Sequence, residues 1–266
     1  MTATPSLIGG STGLVAGGLR IVYPERDMRR GLRTFLDVKD PKTGAKRRIQ
    51  FHRWPRGKAN RLLIHSTGPG MSKYARIHEL TNEETVARVY GNPGNSCAHV
   101  CVLPDGARIR TTPYDLVAPH CGASSVQRQR MLDGSWRAWT SDDAEEQWAK
   151  LWPGVKSPQH LFPTASANDS CEGLETWKGD AIDPETGTRY TMAQYRSTAQ
   201  WVVQRERALG FLADGVRLLT HEAVQPFERW DDVGGHDPGV MRPVPLYNWP
   251  LLRECIAAER AIEAAP

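Results

Sequence analysis

Arg61-Leu62-Leu63-Ile64-His65 is the stretch on which the reading of the fold turns. It is a short apolar run that ends in a polar residue just before Gly68-Pro69-Gly70. Such a run, cut off by turn formers, reads as a buried strand that delivers its last side chain, His65, to the strand's exposed end. A single strand of this kind needs partners, and the sequence on either side supplies candidates.

Downstream, Thr81 is placed to cap a helix whose first turn holds Glu83 and Glu84, where carboxylates suit the helix dipole. Residues 97–103 then alternate on a period of two, and Pro104-Asp105-Gly106 turns the chain into residues 107–112, the pattern of a hairpin. Cys97, His99 and Cys101 share one face of it. Residues 123–167 show no strand pattern, and a connection of that length is functional or carries its own helix. Ser141-Asp142-Asp143-Ala144-Glu145-Glu146 reads as a capped helix start, with Trp148, Leu151 and Trp152 on one side.

Residues 171–177 read as another strand. A helix is expected from Thr191, with Met192, Tyr195, Ala199, Val202 and Val203 on one side and Gly210 as its end. Residues 216–220 return as a strand that ends at His221, and residues 250–264 form a last helix with Pro250 in its first turn. Upstream of the core, residues 1–19 are rich in Gly, Ser and Thr. Extended runs at 34–38 and 47–54 flank Asp40-Pro41-Lys42-Thr43-Gly44, which predicts a β-hairpin.

Strands interleaved with helices predict an α/β chain, a central mixed β-sheet flanked by helices, with no internal repeat. Two regions are expected: a basic N-terminal extension with a β-hairpin over 1–58, and a catalytic domain over 59–266. Charge marks the division, because residues 1–61 hold 14 Lys or Arg against 4 Asp or Glu, while the whole chain carries only +4.

With 39% apolar and 24% charged residues the 266-residue chain has ordinary globular usage, so a sizeable core is available. No window approaches a membrane span, and no export signal is evident at the start, so synthesis in the cytoplasm is expected. The five cysteines are odd in number and fit no CxxC zinc pattern; buried thiols are expected rather than a disulfide framework.

A catalytic zinc site needs three protein ligands on rigid elements and one open position for water. His65 and His221 each follow an apolar strand, and Asp237 lies in Gly234-Gly235-His236-Asp237-Pro238-Gly239, whose glycines and proline fix an irregular backbone. Two imidazoles and a carboxylate suit zinc. No compact HExxH is present, and spacing alone does not single the three out.

An ordered set of segments does. Leu62-Leu63-Ile64-His65-Ser66-Thr67 resembles the first zinc-ligand strand of the amidase-2 family, which includes phage lysozyme-type amidases and peptidoglycan recognition proteins. Ser96 to Val102 with Pro104-Asp105-Gly106 is similar to that family's hairpin, and Ala118-Pro119-His120-Cys121-Gly122 to its His-x-Gly turn. Asn168 and the run from Ser170 to Glu175 resemble the strand bearing its catalytic glutamate, and Tyr190 to Tyr195 the start of its long helix. Leu219 to Val224 resembles its second zinc ligand, and Asp237-Pro238-Gly239 with Tyr247-Asn248-Trp249 its third ligand and closing helix. The resemblance spans roughly residues 60–255.

It implies an N-acetylmuramoyl-L-alanine amidase, endolysin-like, with one Zn2+ per chain held by His65, His221 and Asp237. Glu175 is implied as general acid or base, with Glu172 as its competitor. Many members carry a Lys two residues before the third ligand; Gly235 stands there, and His236 is the expected substitute for polarising the amide oxygen. His99 and His120 are expected to hydrogen-bond around the site or in the core rather than to ligate. A Cys121 nucleophile is disfavoured because neighbouring side chains in sequence point apart.

Peptidoglycan is the implied partner, met in the periplasm or cell wall, and a monomer is expected. Trp136, Trp139, Trp148, Trp152 and Trp177 are candidates for facing a sugar. The basic run over 26–61 suits an anionic envelope surface, and nucleic acid is not expected in the absence of a reader motif. The alternatives are a peptidoglycan-binding module of the same fold without activity, an amidohydrolase acting on another N-acyl substrate, or a toxin delivered to competitors.

Overall fold

In the computed structural model the residues described are 20–27, 35–39, 46–50, 59–67, 71–90, 97–121, 149, 167–224, 237–238 and 247–265. Eight strands lie among them: β1 Glu25–Asp27, β2 Phe35–Lys39, β3 Lys46–Gln50, β4 Arg61–Ser66, β5 Val100–Val102, β6 Arg108–Arg110, β7 Cys171–Thr176 and β8 Leu218–Thr220. The helices are α1 Met71–Ile77, α2 Asn82–Tyr90, the single turn α3 Ala167–Ser170, α4 Met192–Leu209, the single turn α5 His221–Val224 and α6 Trp249–Ala264.

Six strands form one sheet in the order β1-β6-β5-β7-β4-β8, and β2 pairs with β3 in a separate antiparallel hairpin. Only β5 and β6 run antiparallel in the large sheet; the pairs β1·β6, β5·β7, β7·β4 and β4·β8 are parallel. The expected mixed sheet flanked by helices is what the chain forms.

β4 is central, and its Leu62, Leu63 and Ile64 have no exposed surface, as the unbroken apolar run requires. The sheet separates two cores. On one side α4 and α6 pack together and bury Tyr195, Trp201, Val202 and Leu252; on the other α1 and α2 contribute Met71, Ala75 and Val86 against Cys101 and Ile109. All five thiols are buried and none is disulfide-bonded. Among the described residues no helix is long and apolar enough to cross a membrane.

The helix ends follow the local chemistry. Thr81 Oγ1 accepts from Glu84 N–H while Glu84 Oε2 accepts from Thr81 N–H, a reciprocal cap that starts α2 where expected. Thr191 and Gln194 repeat the device at α4, which ends at Gly210 in the left-handed region. Asn248 caps α6 through its side chain to Leu251 N–H, with Pro250 in the first turn.

β1 lies inside the stretch 1–58 expected to stand apart, yet it pairs with β6 at the edge of the large sheet. Arg20 bonds Glu259 and Glu263 of α6, and Glu25 lies 3.6 Å from the buried Arg108 guanidinium. Short polar strands such as Glu25-Arg26-Asp27 carry no hydrophobic pattern, so their membership in a sheet leaves no periodic trace. Apart from Ala149, which is helical, the predicted helix at 141–152 lies outside the described residues, as does most of the basic run over 26–61.

Candidate metal centre

The site assembles at the C-terminal ends of three neighbouring parallel strands, where open α/β sheets place their ligands. His65 is directly paired with Glu175 in the β4·β7 register. Across the other edge of β4, Ile64 pairs with Thr220, so His221, one residue further on, comes level with His65. The expected strand over 216–220 is shorter, with a 3-10 turn at Gly215–Arg217, and His221 opens the turn α5. The two imidazole centroids stand 4.5 Å apart.

Asp237 sits in a bend and is held at both ends. Its Oδ1 accepts the N–H of Ser66, the residue after His65, and its main-chain oxygen accepts the N–H of Glu222, the residue after His221, at 2.9 Å. Its Oδ2 lies 2.6 Å from His221 Nδ1 and 3.6 Å from His65 Nδ1. One ligand atom from each of the three residues fits within 4.8 Å of the others, and all three side chains are more than nine-tenths buried or nearly so.

These donors fit zinc. Nitrogen and oxygen ligands about 2.0–2.2 Å from a tetrahedral ion stand about 3.3–3.5 Å from one another. His65 and Asp237 are already at that separation, and the His221 to Asp237 contact needs to open by less than about 1 Å. An imidazole-imidazole-carboxylate set also suits zinc over calcium or magnesium, which take oxygen donors.

Burial alone would raise the Asp237 pKa, but the adjoining His221 and then His65 hold its carboxyl far below the usual range. Burial likewise lowers His221, and is outweighed by Cys121 and Asp237, which together push it well above its ordinary value. A metal must therefore displace a proton from His221. Zinc affinity is expected to rise about tenfold per pH unit below that elevated pKa, because each ion bound releases one proton. Titration calorimetry at several pH values, in buffers of different ionisation enthalpy, measures this; an affinity that does not rise with pH, or binding that releases no proton, would contradict it.

Glu175 points to the same side of the sheet as His65 and keeps partial access to solvent. Its charge adds to burial in raising the pKa values of Tyr90 and Cys101, so it lies close to both. Glu172 does not compete with it. Residues three apart on a strand face opposite ways, and Glu172 has no exposed surface and bonds Arg205 of α4 in two places, at 2.6 and 2.9 Å.

The remaining histidines hydrogen-bond, as expected. His120 Nδ1 is 2.8 Å from His65 Nε2. Burial, and then the neighbouring imidazoles of His65, His99 and His221, hold the His120 pKa well below the ordinary value. His99 Nδ1 accepts from Gly173 N–H at 3.1 Å, which leaves Nε2 to donate to Leu116 O at 3.1 Å. Cys121 is buried and its thiol hydrogen-bonds the His221 ring.

Trp177 is a core residue: it is 2% exposed and its indole N–H donates to Ser72 Oγ. His236, Gly235 and Trp136, Trp139, Trp148 and Trp152 lie outside the described residues. Sequence reading did not pick out Tyr90, buried where α2 ends and close enough to feel the charges of Glu175 and Asp237. Its only signal is an aromatic at the end of an amphipathic helix, which core packing explains equally well.

Comparison with known proteins adds a distant likeness. No protein-family model matches the chain, and no curated protein does. Among solved structures, the chain is similar to the Staphylococcus aureus hydrolase AmiA in complex with its ligand, with 13% identity, 91% of this chain and 85% of that one covered, and a TM-score of 0.45. It is similar to a selenomethionine derivative of AmpD, with 16% identity, 77% and 90% covered, and a TM-score of 0.41. It is also similar to the N-acetylmuramoyl-L-alanine amidase LysC from Clostridium intestinale, with 15% identity, 68% and 83% covered, and a TM-score of 0.32.

Proposed function

We propose that this chain is a zinc-dependent peptidoglycan amidase, endolysin-like, that hydrolyses the amide between N-acetylmuramic acid and the L-alanine of the stem peptide. The observation that carries the reading is the juxtaposition of His65, His221 and Asp237 with Glu175 on the neighbouring strand. The order of motifs resembling the amidase-2 family supplies the substrate.

Zinc held by the three side chains would supply Lewis acidity and a water acidified to a pKa of about 7. The protein's share is positional. β4 and β8 fix the two imidazoles at equal height, and the Ser66 and Glu222 amides hold Asp237 between them. Glu175, carried on β7 one strand away and partly exposed, would take a proton from the attacking water and return it to the departing L-alanine nitrogen.

The second reading, a peptidoglycan-binding module without activity, is favoured by one observation: Gly235 stands where a Lys could polarise the amide oxygen. Digestion of purified peptidoglycan followed by mass analysis separates the two. Release of intact stem peptides bearing a free L-alanine amine, lost on chelation and restored by zinc, is the expected result. Binding without release would leave the module; cuts confined to the glycan chain or the cross-links would refute the amidase.

A further inference from the structure

The turn that brings His120 and Cys121 under the metal centre is built with more care than a connecting loop requires. Asn168 Oδ1, from the single turn before β7, accepts two successive backbone N–H groups, that of His120 at 3.0 Å and that of Cys121 at 2.6 Å. One side-chain oxygen thus fixes the direction in which both residues present their side chains. The His120 ring is pressed onto β7 at Gly173, where a Cβ would lie 2.5 Å from His120 Nδ1 and 2.7 Å from its Cε1. Only a residue without a side chain leaves space for the ring in that place.

The two side chains then diverge to two targets. His120 Nδ1 meets His65 Nε2 at 2.8 Å, and the Cys121 thiol meets the His221 ring. Each imidazole therefore has Nδ1 toward Asp237 and a neighbour from the same turn bonded to its ring. With Nδ1 aimed at the ion position, His65 carries its proton on Nε2 and donates it to His120 Nδ1.

We propose that His120 and Cys121 are positioning residues, a paired outer support that sets the orientation of His65 and His221 and of the nitrogens they offer to a metal. This rests on the reading of His65, His221 and Asp237 as a zinc site. Outer partners of ligating histidines fix the tautomer and ring direction, and their loss weakens metal binding without removing a ligand. Here one dipeptide serves both histidines, and Asn168 and Gly173 hold the dipeptide.

The test is zinc affinity by chelator competition on the full chain, with the absorption spectrum of the cobalt(II)-substituted protein as a second readout. His120→Ala is expected to bind zinc about 10–100-fold more weakly than the wild type, with an altered cobalt spectrum and an unchanged circular dichroism spectrum. His120→Asn, which returns an oxygen to the place of Nδ1, is expected to recover most of the loss. A role in packing alone would lower the melting temperature of the metal-free protein in both variants and leave the affinity of the folded fraction intact. Should His120→Ala fail to fold, Cys121→Ala carries the test, with weaker zinc binding and a shifted cobalt spectrum expected. Wild-type affinity and spectrum in the folded variants would overturn the proposal while leaving the zinc site standing; a wild-type protein that binds no zinc would remove both.

Discussion

His221→Ala is expected to purify without zinc and to cleave muropeptides about 10³-fold more slowly than the wild type, or not measurably. Lewis-acid stabilisation of the developing charge is worth several kcal/mol, and every 1.36 kcal/mol is a factor of ten in rate, so its loss alone accounts for about three decades. The variant should also be less stable without metal. Asp237 is buried and ion-paired to His221 at 2.6 Å, and deleting one partner of a buried pair costs about 3–5 kcal/mol by leaving the other charge uncompensated. Metal content by mass spectrometry, a muropeptide release assay and a thermal melt read the three effects. Equimolar zinc in the purified variant would exclude His221 as a ligand.

Glu175→Gln is expected to separate chemistry from metal binding: zinc content unchanged, KM close to wild type, and kcat down about 10²–10⁴-fold, the usual share of a positioned acid or base. Glu172→Gln, three residues earlier on the same strand, should behave in the opposite way. It breaks the two-point contact with Arg205 inside the α4 core and should cost stability, while kcat per folded molecule stays as it was. Steady-state kinetics beside a melting curve for each variant distinguishes them. Equal losses of kcat in both would mean that the two glutamates act through the fold and not through the reaction.

Much of this was legible in the sequence because the relevant residues sit next to strong local signals. His65 closes an apolar run, Thr81 and Thr191 open helices with capping partners three residues on, and Gly210 ends one. Other parts are set by contacts between segments far apart in sequence. β1 has three charged residues and no pattern, and joins the sheet only because β6 offers an edge. Which of Glu172 and Glu175 faces the site depends on the phase of one strand, and a phase needs a neighbour to be read. The hold of Asn168 on the turn 48 residues before it, and of Ser66 on Asp237, are bonds between segments that no spacing rule connects.

The ladder between β4 and β7 has a consequence for how this chain can vary. Because His65 meets Glu175 across a parallel register, the distance between ion position and carboxylate is fixed by backbone hydrogen bonds and not by side-chain reach. Side chains alternate along β7, so length changes in that strand obey a parity rule. Adding or deleting a single residue before Glu175 would place Leu174 or Thr176 beside His65 and turn the carboxylate into the α4 core, where Glu172 is already bonded to Arg205. A change of two would keep the face and shift the carboxylate by one pleat. Variants of this chain should therefore tolerate length changes of two residues in β7 far better than changes of one.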